Sequence, residues 1–163
     1  MKRSERGFTL IELLVVIAII GILSSIVLAS LNTARAKGAD AATKANLANA
    51  RAQAELYYDS NTQSYLGVCG TTNSSGGVRP INTSLVAAAT AGGFTAIPVI
   101  VATTAGVYNV TTCHDSAGNW AAEAPLKASV SGTPVMWCID NTGKSVQEST
   151  NLAGSGATQY ACP

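Results

Sequence analysis

Hydrophobic residues follow three different rhythms along this chain. Residues 13–31 form an apolar run of 19 residues without a charge, and Glu12 stands immediately before it. A helix that crosses a bilayer needs about 20 mostly apolar residues, so this run is long enough to span. Beyond it, Leu47, Ala50, Ala54, Tyr57 and Tyr58 recur at spacings of three and four, the stripe of a helix that docks one face on a domain. From Trp120 the period drops to two. Trp120, Ala122, Ala124 and Leu126 alternate with Ala121, Glu123, Pro125 and Lys127, a half-buried strand interrupted at Pro125. After a turn at 131–134, Val135, Trp137 and Ile139 alternate with Met136, Cys138 and Asp140. A tight turn at 141–143 leads to a third strand over 144–149.

The first two regimes join into one helix. Residues 8–58 contain no proline and two glycines, Gly21 and Gly38, among good helix formers. At a rise of 1.5 Å per residue such a helix is about 75 Å long. Asp40 and Lys44 sit four apart in the favourable order, and Asp59-Ser60-Asn61 supplies turn chemistry at its end. Residues 67–93, rich in Gly, Thr, Asn and Ser, read as a connecting loop with a short helix at 84–91. A short strand is expected at 96–101, held to an edge by Pro98. The expected fold class is α+β: a long N-terminal helix packed on a small antiparallel sheet, with no internal repeat.

The costly feature is Glu12. A carboxylate at the head of a membrane helix is unfavourable and is usually retained for a function. A secretory signal peptide has a basic start, an apolar region of about 7–15 residues and a small-residue cleavage site. Lys2, Arg3 and Arg6 supply the basic part, and Ala29-Ser30-Leu31 imitates a cleavage site. The apolar run is too long for that reading, and neither it nor a plain anchor accounts for Glu12.

The segment Gly-Phe-Thr-Leu-Ile-Glu-Leu-Leu-Val-Val-Ile-Ala-Ile-Ile-Gly, residues 7–21, resembles the class III leader and N-terminal helix of type IV pilins and type II secretion pseudopilins. The resemblance covers about the first third of the chain and implies a pilin-like fold. It implies that a prepilin peptidase cuts between Gly7 and Phe8 and methylates the amino group of Phe8. Glu12 then becomes an assembly residue, paired with the amino terminus of a neighbouring subunit. That pairing fits the physics, because a carboxylate in hydrocarbon needs a cation. The implied organisation is a leader at 1–7, a spine helix at 8–60 with its membrane span at 13–31, and a head at 61–163. Many pilins carry a proline about two turns beyond the first helix glycine, where this chain has Ala29.

Charge and cysteine content place the head outside the cytoplasm. The basic leader should stay inside under the positive-inside rule, although Arg35 and Lys37 just past the span oppose it. Cys69, Cys113, Cys138 and Cys162 all follow the helix, an even number in a region expected to face an oxidising space. Four cysteines allow three pairings. Joining sequence neighbours, 69 with 113 and 138 with 162, is favoured, and the similar C-terminal bridge of many pilins supports a disulfide there. The second bridge would pin the Gly- and Ser-rich tail to the sheet. Without the leader, 7 basic and 8 acidic side chains remain. That balance leaves no electrostatic footprint for nucleic acid.

Enzymatic chemistry is not expected. His114 and Asp115 are adjacent and read as a surface loop, Glu123 as solvent-facing, and Tyr57, Tyr58 and Tyr65 as core. No Cys-x-x-Cys pair suggests zinc. No cofactor is expected. Calcium is the alternative, at Asp59 in a segment lacking the sixth-position Gly (Ser64) and the closing Glu (Gly70), or at Asp140 and Asn141.

The expected function is that of a structural subunit that polymerises into a type IV pilus after cleavage and methylation. The alternative is a pseudopilin of a type II secretion or competence system, and a further class is a membrane-anchored enzyme or binding module. The partners are copies of itself in a helical filament, the prepilin peptidase, an inner-membrane assembly platform driven by a cytoplasmic ATPase, and the membrane before assembly. The location is the inner membrane with the head outside, and then an extracellular pilus or a periplasmic pseudopilus.

Overall fold

The computed structural model describes residues 7–94, 100–101, 108, 110–130, 133–150, 152 and 159–163. The chain divides into two units, Met1–Arg35 and Ala36–Pro163. The helix α1, Leu10–Ser60, is continuous, and its 51 residues belong partly to each. In the first unit every described residue from 7 to 35 is exposed. By length and composition α1 is able to cross a membrane.

The second unit is built from the rest of α1, a helix α2 (Asn82–Ala91) and five strands: β1 (Ile100–Val101), β2 (Thr112–Asp115), β3 (Trp120–Val130), β4 (Thr133–Asp140) and β5 (Ser145–Glu148). The strands lie in sequence order. β1 runs parallel to β2, and β2 to β5 form an antiparallel meander. With the long helix this is an α+β, pilin-like architecture.

The sheet face that carries Trp120, Ala122, Ala124, Cys113 and Ile139 packs with Leu47, Ala50, Ala54 and Tyr57 of α1 and Leu85 and Ala88 of α2. Alanines at 50 and 54 keep the contact face of α1 shallow, so the large Trp120 is accommodated with no exposure. Burying a leucine such as Leu47 contributes about 1.5–3 kcal/mol. Tyr58 is only half-buried and packs on this core from its edge, its ring 4.4 Å from that of Tyr65. The Tyr65 hydroxyl donates to both oxygens of Glu55 at 3.0 and 2.9 Å. Burial and that bond push the phenol up to about 12.

Polar bonds complete the docking of α1. Thr43 Oγ1 donates to the Ala88 carbonyl at 3.0 Å and Gln53 Nε2 to the Arg79 carbonyl at 2.8 Å. Arg51 reaches the turn between β4 and β5, donating to the carbonyls of Asp140 and Lys144. α1 ends without a glycine: Thr62 and Gln63 take left-handed backbone conformations, φ 54° and 57°. The Asn61 amide holds that turn through the Ser64 carbonyl at 3.0 Å.

Two disulfides join Cys69 to Cys113 and Cys138 to Cys162. The first lies in the core between sheet and helices, and the second on the opposite face of the sheet.

Several boundaries differ from the sequence reading. α2 begins at Asn82, two residues before the expected start. β5 is shorter by one residue at each end than the 144–149 segment. Of the expected strand at 96–101, Ile100 and Val101 form β1, and 96–99 lie outside the described residues. Pro125 does not interrupt its strand. The β2 ladder ends at Glu123, so Pro125 pairs with Met136 where β3 has no β2 partner, a position that admits proline.

Candidate functional site

The head of α1 carries the motif that the sequence singled out. Thr9 precedes the helix, and Glu12 lies in its first turn. Thr9 donates from its backbone N and from Oγ1 to Glu12 Oε2, at 2.9 and 2.7 Å, while the Glu12 N–H returns a bond to Thr9 Oγ1 at 3.3 Å. This is a capping box, in which two otherwise unpaired helix-end donors are satisfied reciprocally. Glu12 therefore has a local partner that the sequence reading overlooked, although the Thr-x-x-Glu spacing was its signal. The box occupies Oε2, and among the described residues Oε1 has no hydrogen-bond donor.

Gly7 lies just before this box. A Cβ built on it meets nothing within 4 Å, and the same holds for Gly21. Packing within the chain therefore places no demand for glycine at either position. Around them Phe8, Leu10, Ile11 and Leu13 are each more than half exposed. The motif is an uncovered apolar helix with one locally capped carboxylate.

On the sheet, three readings of isolated residues need correction. His114 and Asp115 are in β2 and buried, not in a surface loop. They point to opposite faces, as adjacent strand residues must. Asp115 turns toward α1 and accepts the Cys69 N–H at 2.8 Å, while His114 Nδ1 lies 3.1 Å from the Gln159 carbonyl. Burial raises the Asp115 carboxyl against that bond. Glu123 is not solvent-facing but fully buried. The cause is common to His114 and Glu123: the C-terminal segment covers the sheet face they share. Leu152 and Cys162 pack there on Ala121 and Cys138, and the Leu152 N–H donates to Glu123 Oε2 at 3.0 Å.

Asp140 is held by donors from both sides. Its Oδ1 accepts the N–H groups of Thr142 and Lys144 and the Thr142 hydroxyl, and its Oδ2 accepts the Cys162 N–H at 3.0 Å. Those bonds outweigh desolvation and hold the carboxyl below its ordinary value. This arrangement builds a turn and does not fit a calcium ion, because donors already occupy both oxygens. At the other candidate, Ser60 Oγ donates to the Tyr57 carbonyl and Asn61 to the Ser64 carbonyl, closing the helix end. Among the described residues no group of three or more His, Cys, Asp or Glu side chains has the placement to hold a metal ion.

The fold, with its exposed N-terminal helix, meander sheet and two disulfides, is of the pilin type. Residues 2–28 match the prokaryotic N-terminal methylation motif, the class III leader of type IV pilins and pseudopilins. That motif marks a structural, pilin-type subunit and not an enzyme class. No curated protein and no solved structure matches the chain.

Proposed function

We propose that this chain is a structural subunit that polymerises into a type IV pilus once a prepilin peptidase has cut between Gly7 and Phe8 and methylated Phe8. The observation that carries this reading is the methylation motif at residues 2–28, at the head of a helix whose apolar residues are exposed in the single chain. Exposed leucines and isoleucines at this density need a covering, first lipid and then the helices of other subunits. Gly21 leaves room for a close helix–helix approach. In the filament, Glu12 Oε1 takes the amino group that cleavage creates on a neighbouring subunit, while Oε2 keeps its own helix capped. The peptidase, an inner-membrane platform and a cytoplasmic ATPase complete the process, with the head outside the cytoplasm.

The test is electron microscopy of sheared surface fibres with mass spectrometry of their content. Long fibres containing a chain that begins at N-methylated Phe8 are the expected result. A processed chain that stays in the envelope, in no surface fibre, replaces the pilus reading with a pseudopilus. An uncut chain overturns both.

A further inference from the structure

The sheet face away from α1 holds a buried pair of acids that assembly does not use. Glu123 lies opposite Cys138, and Glu148 opposite Met136, so the two acids share one face with β4 between them. Glu123 is fully buried and Glu148 is 9% exposed. Both therefore lack hydration and need local compensation. Leu152 supplies one donor, to Glu123 Oε2. Glu123 Oε1 and both oxygens of Glu148 have no donor from any other residue. The carboxyls instead lie close enough to hydrogen-bond to each other, and two carboxyls do so only when one carries a proton.

We propose that Glu123 and Glu148 share one proton, and that this proton latches the C-terminal segment, through Leu152, onto the outer face of the sheet.

With one proton present, Glu148 donates to the Glu123 carboxylate, which accepts the Leu152 N–H from its other side. Loss of that proton sets two buried negative charges side by side beneath Leu152. The neighbours offer little relief. His114 comes from β2, Asp140 from β4, and Lys144 from β5, which favours the charged form of Glu148. Lys144 is already engaged by the carbonyls of Cys162 and Pro163. Residues 151–163 contain no Lys or Arg, and their one ionisable side chain is Tyr160. Opening the segment hydrates the pair and removes the repulsion, while Cys138–Cys162 keeps the end tethered.

Burial sets the direction of the response. It pushes Glu123 up to about 7, against the bonds from Leu152 and Thr112. Burial, and then the charge of Glu123, push Glu148 up to about 8. Acids raised on folding stabilise the closed state fully below their ordinary value of 4.5. That stabilisation is lost as pH rises through about 7 and 8.

The test is amide hydrogen exchange at Leu152 in the full chain, in detergent micelles with both disulfides intact. After correction for the intrinsic pH dependence, protection should fall roughly tenfold or more between pH 6 and 8.5, since one proton linked to closure changes that equilibrium by up to about tenfold per pH unit. Glu148→Gln keeps a donor toward Glu123 and removes the shared proton, so its protection should not change over that range. An equal fall in Glu148→Gln assigns the effect to His114 or another group and overturns the proposal. So does protection at pH 6 that a chelator removes and Ca²⁺ restores, because a cation then holds the pair. Infrared spectroscopy of the unmodified chain gives a reading free of any folding defect in the variant. A protonated-carboxyl band present at pH 6 and lost by pH 8.5 is expected, and its absence at pH 6 overturns the shared proton.

Discussion

The Asp40 carboxylate on α1 accepts the backbone N–H of Lys127 at 2.6 Å, and with its second oxygen that of Ala128 at 3.2 Å. The two donors need it. The β3–β4 register shifts between Leu126 and Val130, so Lys127 and Ala128 have no partner in the β4 ladder. One buried side chain of the helix thus does the work of a missing strand. Asp40→Ala leaves two backbone donors unpaired beside α1 and should destabilise the head by about 2–3 kcal/mol. Denaturant unfolding of the full chain in micelles measures this. An unchanged midpoint would show that water replaces the carboxylate at no cost.

Gly7 separates folding from processing. Its absent Cβ would touch nothing within 4 Å, so Gly7→Arg should leave the head as stable as before. It should block the cut between Gly7 and Phe8, leaving precursor-length chains in the membrane. Gel mobility and N-terminal sequencing check it, and a mature-length band would refute the cleavage position.

Glu12 has two candidate duties, capping its own helix and meeting a neighbour's amino group, and they respond differently to substitution. Gln at this position still completes a capping box with Thr9 but carries no charge. Glu12→Gln should therefore keep helix content while assembling as poorly as Glu12→Ala. Thr9→Val removes the cap donor Oγ1 and spares the charge, so it should assemble better than either. Fibre yield normalised to processed subunit distinguishes them. Normal yield from Glu12→Gln would leave capping as the whole role of this residue.

The sequence showed the long helix, its docking stripe and the three-strand meander because each follows a period that one element enforces by itself. It showed the N-terminal motif because that stretch is contiguous. What it hid depends on contacts between distant segments. Asp40 looked like half of an Asp40–Lys44 pair, whereas its acceptors are spent on residues nearly ninety positions away. Glu123 alternates with apolar partners as an outward-facing residue should, and only the C-terminal segment makes that outward face an interior. One clue was available. Cys138 alternates onto the same face as Glu123, so a bridge from Cys138 to Cys162 had to carry the tail across that acid.

The two disulfides should accordingly fail in different ways. They close loops between residues 44 and 24 positions apart, and chain entropy alone assigns each about 3.5–4 kcal/mol. Removing Cys69–Cys113 with paired serines frees the segment after α1 from β2 but leaves the C-terminal segment on its face. That variant should be less stable at every pH and keep its loss of stability between pH 6 and 8.5. Removing Cys138–Cys162 by the same substitutions releases Leu152 and Cys162 from Ala121, and water reaches Glu123 and Glu148. Its stability should be lower and nearly independent of pH over that range, because hydrated carboxyls return to their ordinary values. Unfolding midpoints of both variants at the two pH values decide the matter. Equal alkaline sensitivity in the two would show that the acid pair stays buried without its tether.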